Sequence, residues 1–129
     1  MKKFIYVAVM ALTLGFFSNC TPRASVGNEP KLDEQNSTLN GVFYDNTVYK
    51  CWEFTWSYVE KENGAVVEQD HGVDYEWTTE LMARYHKALW DYDHNMSASA
   101  YGQSWSISGT CTLVENTNKN ESSCYSDVD

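Results

Sequence analysis

Apolar and polar residues alternate through 48–60, where Trp52, Phe54, Trp56 and Tyr58 are separated by Glu53, Thr55 and Ser57. That period of two predicts a strand with one buried face. Asn63-Gly64 comes next, a pair suited to the two positive φ angles of a type I′ hairpin turn. Beyond it, Val73, Tyr75 and Trp77 alternate with Asp74 and Glu76. A two-residue turn sets Tyr75 opposite Trp52 and Val73 opposite Phe54, which places the apolar sets of both strands on one face. An extra residue at Asp70-His71-Gly72 would reverse that parity.

The period then changes to that of a helix over 79–94, with Thr78 as N-cap, Trp77 packing on Met82, and Asn95 at the exit. Leu81, Met82, Tyr85, Ala88, Leu89, Tyr92 and Met96 fall within about 60° of Tyr85 at 100° per residue, and this stripe is expected to cover the hairpin. A Ser/Ala/Gly-rich connection leads to a third strand, in which Trp105, Ile107, Cys111 and Leu113 share one face. The loop 116–123 returns the chain to Cys124-Tyr125, read as a short last strand or a stapled tail. The predicted fold class is α+β: a small antiparallel sheet in the order strand, strand, helix, strand, with one helix packed on one face.

The chain opens with Lys2 and Lys3 and an almost wholly apolar stretch, 4–17, too short to cross a bilayer comfortably. It reads as a signal peptide. Residues 21–45 are polar, contain both prolines, and show no sustained apolar period, so they read as a flexible tether. The expected organisation is a leader at 1–19, a lipidated N-terminus and tether at 20–45, and one domain at 46–125. A core of that size is marginal, and a disulfide closing a long loop would add about 2–4 kcal/mol.

Phe17-Ser18-Asn19-Cys20 resembles the lipobox of bacterial lipoproteins, with Asn19 where Gly, Ala or Ser is usual. The resemblance implies cleavage before Cys20, acylation of that residue, and attachment to a lipid bilayer. Acylation would leave Cys51, Cys111 and Cys124, enough for one disulfide and one leftover thiol, whereas four thiols would allow three full pairings. Lys50-Cys51-Trp52-Glu53, Tyr75-Glu76-Trp77 with Glu80, and Cys124-Tyr125 are similar to motifs of small exported lipoproteins of unknown function from Bacteroides-type bacteria. That resemblance implies a Cys51–Cys124 bridge with Cys111 left over, and it brings no activity.

Charge narrows the range of partners. The formal net charge is −9, and losing Lys2 and Lys3 with the leader leaves seven basic against eighteen acidic residues, or −11. Such a surface repels phosphate backbones and anionic lipid, so nucleic acid is not an expected partner and membrane attachment rests on acyl chains.

The candidate chemistry is sparse. Asp91-Tyr92-Asp93-His94-Asn95 matches the opening of a calcium loop, but Met96 stands where the turn needs Gly and Gly102 where the bidentate Glu belongs. His86 and His94 lie about 12 Å apart along a helix, too far to share a metal, and no Cys/His spacing suits zinc. Gly102-Gln103-Ser104-Trp105-Ser106 lacks the closing Gly of a nucleophile elbow and enters a strand. No metal and no cofactor is expected.

Trp90 projects about 140° from the centre of the stripe, on the side of Ala83, His86, Lys87 and His94. Either the tether (through Phe43 and Tyr44) or the last loop covers it, or Trp90, His86, Lys87 and His94 form an interaction surface. The expected function is a non-catalytic, membrane-tethered binding lipoprotein of the cell envelope with a protein partner. An inhibitor or immunity protein against a secreted hydrolase is one form of it. The alternative is a small hydrolase or calcium-dependent carbohydrate-active protein using Asp91, Asp93 or His94.

Overall fold

The computed structural model describes residues 24–25 and 28–126. The expected leader and Cys20 lie outside the described residues. A long hairpin, β5 (Tyr49–Glu62) and β6 (Ala65–Thr79), turns at Asn63-Gly64 with both φ angles positive. Helix α1 (Glu80–Asp93) follows, then a second hairpin, β7 (Asn95–Ala100) and β8 (Gln103–Glu115), turning at Tyr101-Gly102 in the same way. With β1 (Ala24–Ser25) these strands make a five-stranded antiparallel sheet, ordered β1-β7-β8-β5-β6. A three-stranded sheet of β2 (Leu32–Asp33), β3 (Thr38–Leu39) and β4 (Val42–Phe43) precedes it, and α2 (Glu121–Ser126) closes the described chain.

The α+β expectation of one helix on one small sheet is therefore corrected: the described residues are predominantly β, with two antiparallel sheets and two short helices among them. Three elements account for the change. The stretch read as tether carries β2, β3 and β4, and Leu39 is buried. The Ser/Ala-rich connection is strand β7, its Met96 and Ala98 turned into the core and its serines outward. Cys124-Tyr125 is helical rather than a last strand.

Register decides which residues meet. Next to the turn, Glu62 faces Ala65 and Lys61 faces Val66, but from Glu60 onward the pairing shifts, with Glu60 opposite Glu68. Val67 is the extra residue of a β-bulge, and it reverses the parity of everything beyond it. Trp52 thus faces Glu76 and Phe54 faces Asp74, where the sequence pattern predicts Tyr75 and Val73. Asp74 and Thr78 are buried while Val73 is exposed. The tolerance shown by β6 has a physical source: Trp56 lies over Gly72, where an added Cβ would come within 2.6 Å of the indole.

Helix α1 matches its predicted limits to one residue at each end. Its N-cap is Thr79, whose hydroxyl accepts from Met82 N–H at 3.4 Å and donates to Asn46 at 2.8 Å. Its face is turned from the expected one. Ala83, Trp90 and the C-cap His94 enter the core, whereas Tyr85, Ala88, Leu89 and Tyr92 stay half-buried. Counting apolar positions weighs Ala88 as heavily as Trp90, but an indole buries several times the area of a methyl group. The first turn is held from the other side, where Leu81 is fully buried and its N–H donates to the Asp45 carbonyl at 3.0 Å.

Trp90 and His94 stack at 3.8 Å between ring centroids over Gly109 of β8. An alanine Cβ at 109 would lie 2.7 Å from the Trp90 ring and 3.0 Å from His94 Cβ. Gly109→Ala is expected to cost about 1–3 kcal/mol through overpacking, read as a lower urea midpoint. An unchanged midpoint would contradict this seat for the helix.

Candidate functional site

The reversed parity of β6 lays a row of carboxylates beneath the aromatic row of β5. Buried indole and phenol groups need acceptors, and here they find them on the neighbouring strands. Trp56 Nε1–H donates to Asp74 at 3.0 Å, Trp105 Nε1–H to Glu60 at 2.6 Å, and the Tyr58 hydroxyl to Glu68 at 3.1 Å. Trp52 Nε1–H donates to the Thr78 carbonyl at 3.1 Å. Glu76 pairs with His86 Nδ1 at 2.8 Å at the helix rim. No period in the sequence marks these carboxylates as a row. The signal for them was the surplus of indole and phenol donors on one strand face, each requiring an acceptor.

Glu60 and Glu68 stand directly opposite at the bulge, and burial raises the Glu60 carboxyl above its ordinary range. Its hydrogen bond with Glu68 and the charges of Glu68 and Glu62 push the same way, and the Trp105 donor opposes them. Tyr58 is pushed up to about 12, first by burial and then by the Glu68 hydrogen bond and the charges around it.

The predicted surface of Trp90, His86, Lys87 and His94 is not one surface. Trp90 is 3% and His94 1% exposed. His86 is bound to Glu76, and Lys87 to Asp91 at 2.6 Å. Neither proposed cover acts as expected: Phe43 is exposed and the Tyr44 ring lies under Arg84, so the sheet itself covers Trp90. Asp91 and His94 are engaged with different partners. Asp91 is on the rim with Lys87, and His94 faces Tyr58 at 5.4 Å between rings. His71 is exposed on the outer face of the sheet, and Trp105 of the elbow-like run is in the core. No group of three or more His, Cys, Asp or Glu that could hold a metal ion occurs among the described residues.

Cys51 and Cys124 form the disulfide that the family resemblance implies, across 73 residues, and it ties α2 to the outer face of β5. A loop of that length corresponds to about 4 kcal/mol in the chain-entropy account. Among the described residues Cys111 is the cysteine without a disulfide; it is buried in the core, and burial pushes its thiol up to about 12, which leaves it inert. Among the described residues no helix is long and apolar enough to cross a membrane. Comparisons with models of protein families, with characterised proteins and with solved structures find no match.

Two of the shifted groups, His94 and Glu60, give stability opposite pH dependences. Burial pushes His94 from its ordinary value near 6.5 down to about 4. The unfolded chain therefore binds a proton first, and stability is lost as pH falls from about 6.5 toward 4, by up to about 3 kcal/mol. For Glu60 the folded value is the higher one, so stability is full below its ordinary value of 4.5 and is lost as pH rises through the folded value. His94→Phe should flatten the acid limb of a stability–pH curve from urea titrations. Glu60→Gln, which keeps an acceptor for Trp105, should flatten the other limb; parallel curves for all three proteins would refute both assignments.

Proposed function

We propose that the protein is a non-catalytic binding lipoprotein of the bacterial cell envelope, exported by residues 1–19 and anchored through acylated Cys20. The observation that carries the non-catalytic part is the use made of the carboxylates: Glu60, Glu68, Asp74 and Glu76 each hold an aromatic or imidazole donor inside the fold. A working acid or base needs an open approach and a proton to exchange with substrate. The hydrolase alternative rests on Asp91, Asp93 and His94; the Asp91–Lys87 ion pair and the burial of His94 between Trp90 and Tyr58 do not favour it.

The Cys51–Cys124 bridge favours an oxidising compartment, in keeping with export. What remains open to a partner is the outer face and margin of the five-stranded sheet. Thr55, Ser57, Ser108, Thr110 and Thr112 are exposed there, with Ser57 and Thr110 hydroxyls 3.3 Å apart. A protein partner suits a broad, shallow surface better than a small ligand does, since small ligands favour concave sites. An inhibitor of a secreted hydrolase remains one form of this reading.

In a bacterial host, the wild-type protein should fractionate with membranes and yield an N-terminal peptide that begins at acylated Cys20. Cys20→Ala should move most of it to the soluble fraction while the Cys51–Cys124 bridge persists. Intact Met1-bearing protein with reduced thiols in the cytosol would overturn the proposal.

A further inference from the structure

The five-stranded sheet has two margins of different kinds. On one side the chain supplies its own closing strand, β1 against β7. On the other, β6 is the last strand, and no described strand lies beyond it. Past the bulge, residues 68–74 run in regular register against β5 and contain no proline. A terminal strand presents a row of backbone donors and acceptors to whatever lies alongside.

The side chains along this stretch say what would fit. On the inner side, Glu68 is half-buried and Asp70 exposed. On the outer side, Gln69, His71 and Val73 are exposed, Val73 at 46%. An incoming strand meets carboxylates at alternate positions on one face, and polar and aliphatic groups on the other. A second copy of this chain would bring Glu68 and Asp70 against its own carboxylates within a protein of net charge −9, a repulsive pairing. The features that keep the edge from pairing with itself select an oppositely charged strand.

We infer that the free edge of β6 over 68–74 takes an extended segment of a partner protein as an added strand, with Lys or Arg at alternate positions facing Glu68 and Asp70, and β-branched or hydroxyl residues between them facing His71 and Val73. Main-chain hydrogen bonds supply the attachment and the charged pairs supply the choice of partner. The inference rests on the binding role proposed above and names the kind of partner.

A short peptide alternating lysine with threonine and valine tests it, by anisotropy titration against the folded, disulfide-bonded protein. Binding is expected to slow amide exchange along 68–74. Glu68→Gln with Asp70→Asn, which keeps acceptors for the Tyr58 hydroxyl and the His71 N–H, should weaken it about tenfold, the sum of two cross-strand charge pairs. Of two peptides N-methylated on alternate residues, one on each edge, one should fail to bind and the other should bind like the parent. Three results would overturn the inference: no binding of the parent peptide, equal binding of a glutamate-for-lysine version, or equal binding of both methylated forms, which marks charge attraction without strand pairing. None of these bears on acylation of Cys20, so fractionation separates failure of this inference from failure of the lipoprotein reading.

Discussion

Val67 is the one residue in the long hairpin that has no cross-strand counterpart, and because side chains alternate along a strand, its insertion exchanges the two faces of everything that follows in β6. Without it, the core would be aromatic from both strands, and the Trp56 and Tyr58 donors would lack their acceptors on β6, while Trp105 would keep Glu60 through the β8–β5 pairing. With it, Asp74 and Glu68 come under the β5 ladder beside Glu60, and the Trp56 indole and the Tyr58 hydroxyl each meet a carboxylate oxygen. A buried carboxylate is costly on its own but tolerable when it accepts a hydrogen bond. The bulge is what lets a sheet with so acidic a strand have a filled interior.

The second layer follows from the first. A sheet face carrying indoles and carboxylates leaves one low place, Gly109 opposite Tyr58, and α1 lowers its largest side chain there. Trp90 also meets Trp56 at 6.3 Å, and His94 lies between Trp90 and Tyr58, so the helix C-terminus is locked to the sheet by a chain of rings. At the other end of the helix, the 28–46 segment holds the first turn through Asp45 and Asn46. The disulfide fastens α2 on the opposite face of the sheet. The histidine is thereby neutral and structural, and the free thiol is sealed.

Much of this was legible in residue patterns. The alternations of 48–60 and 105–113, the Asn63-Gly64 turn, and the helix to within one residue all reflect local rules that tertiary packing did not override. The bulge was not: a second valine in a strand leaves no mark, whereas Asp70-His71-Gly72 has turn-like composition. The helix face was not legible because the residues that decide it, Gly109 and the carboxylates, lie on other strands. Strands of two residues carry too few positions for a period, and the serines and alanines of β7 look like a linker until Trp105 and Ile107 pair with Ala98 and Met96. Of the candidate site, only the disulfide was anticipated, by family resemblance; the indole–carboxylate row depends on a parity that sequence alone could not set.

The edge and outer face of the sheet matter to function only if β6 has the parity described, since the shift that brings Asp74 inward puts His71 and Val73 outward. Cross-strand nuclear Overhauser contacts between backbone protons of the folded protein measure that register directly. Contacts are expected to link Thr55 with Val73 and Phe54 with Asp74, and on the turn side of Val67, Lys61 with Val66. Contacts linking Phe54 with Val73 and Trp52 with Tyr75 would contradict that register.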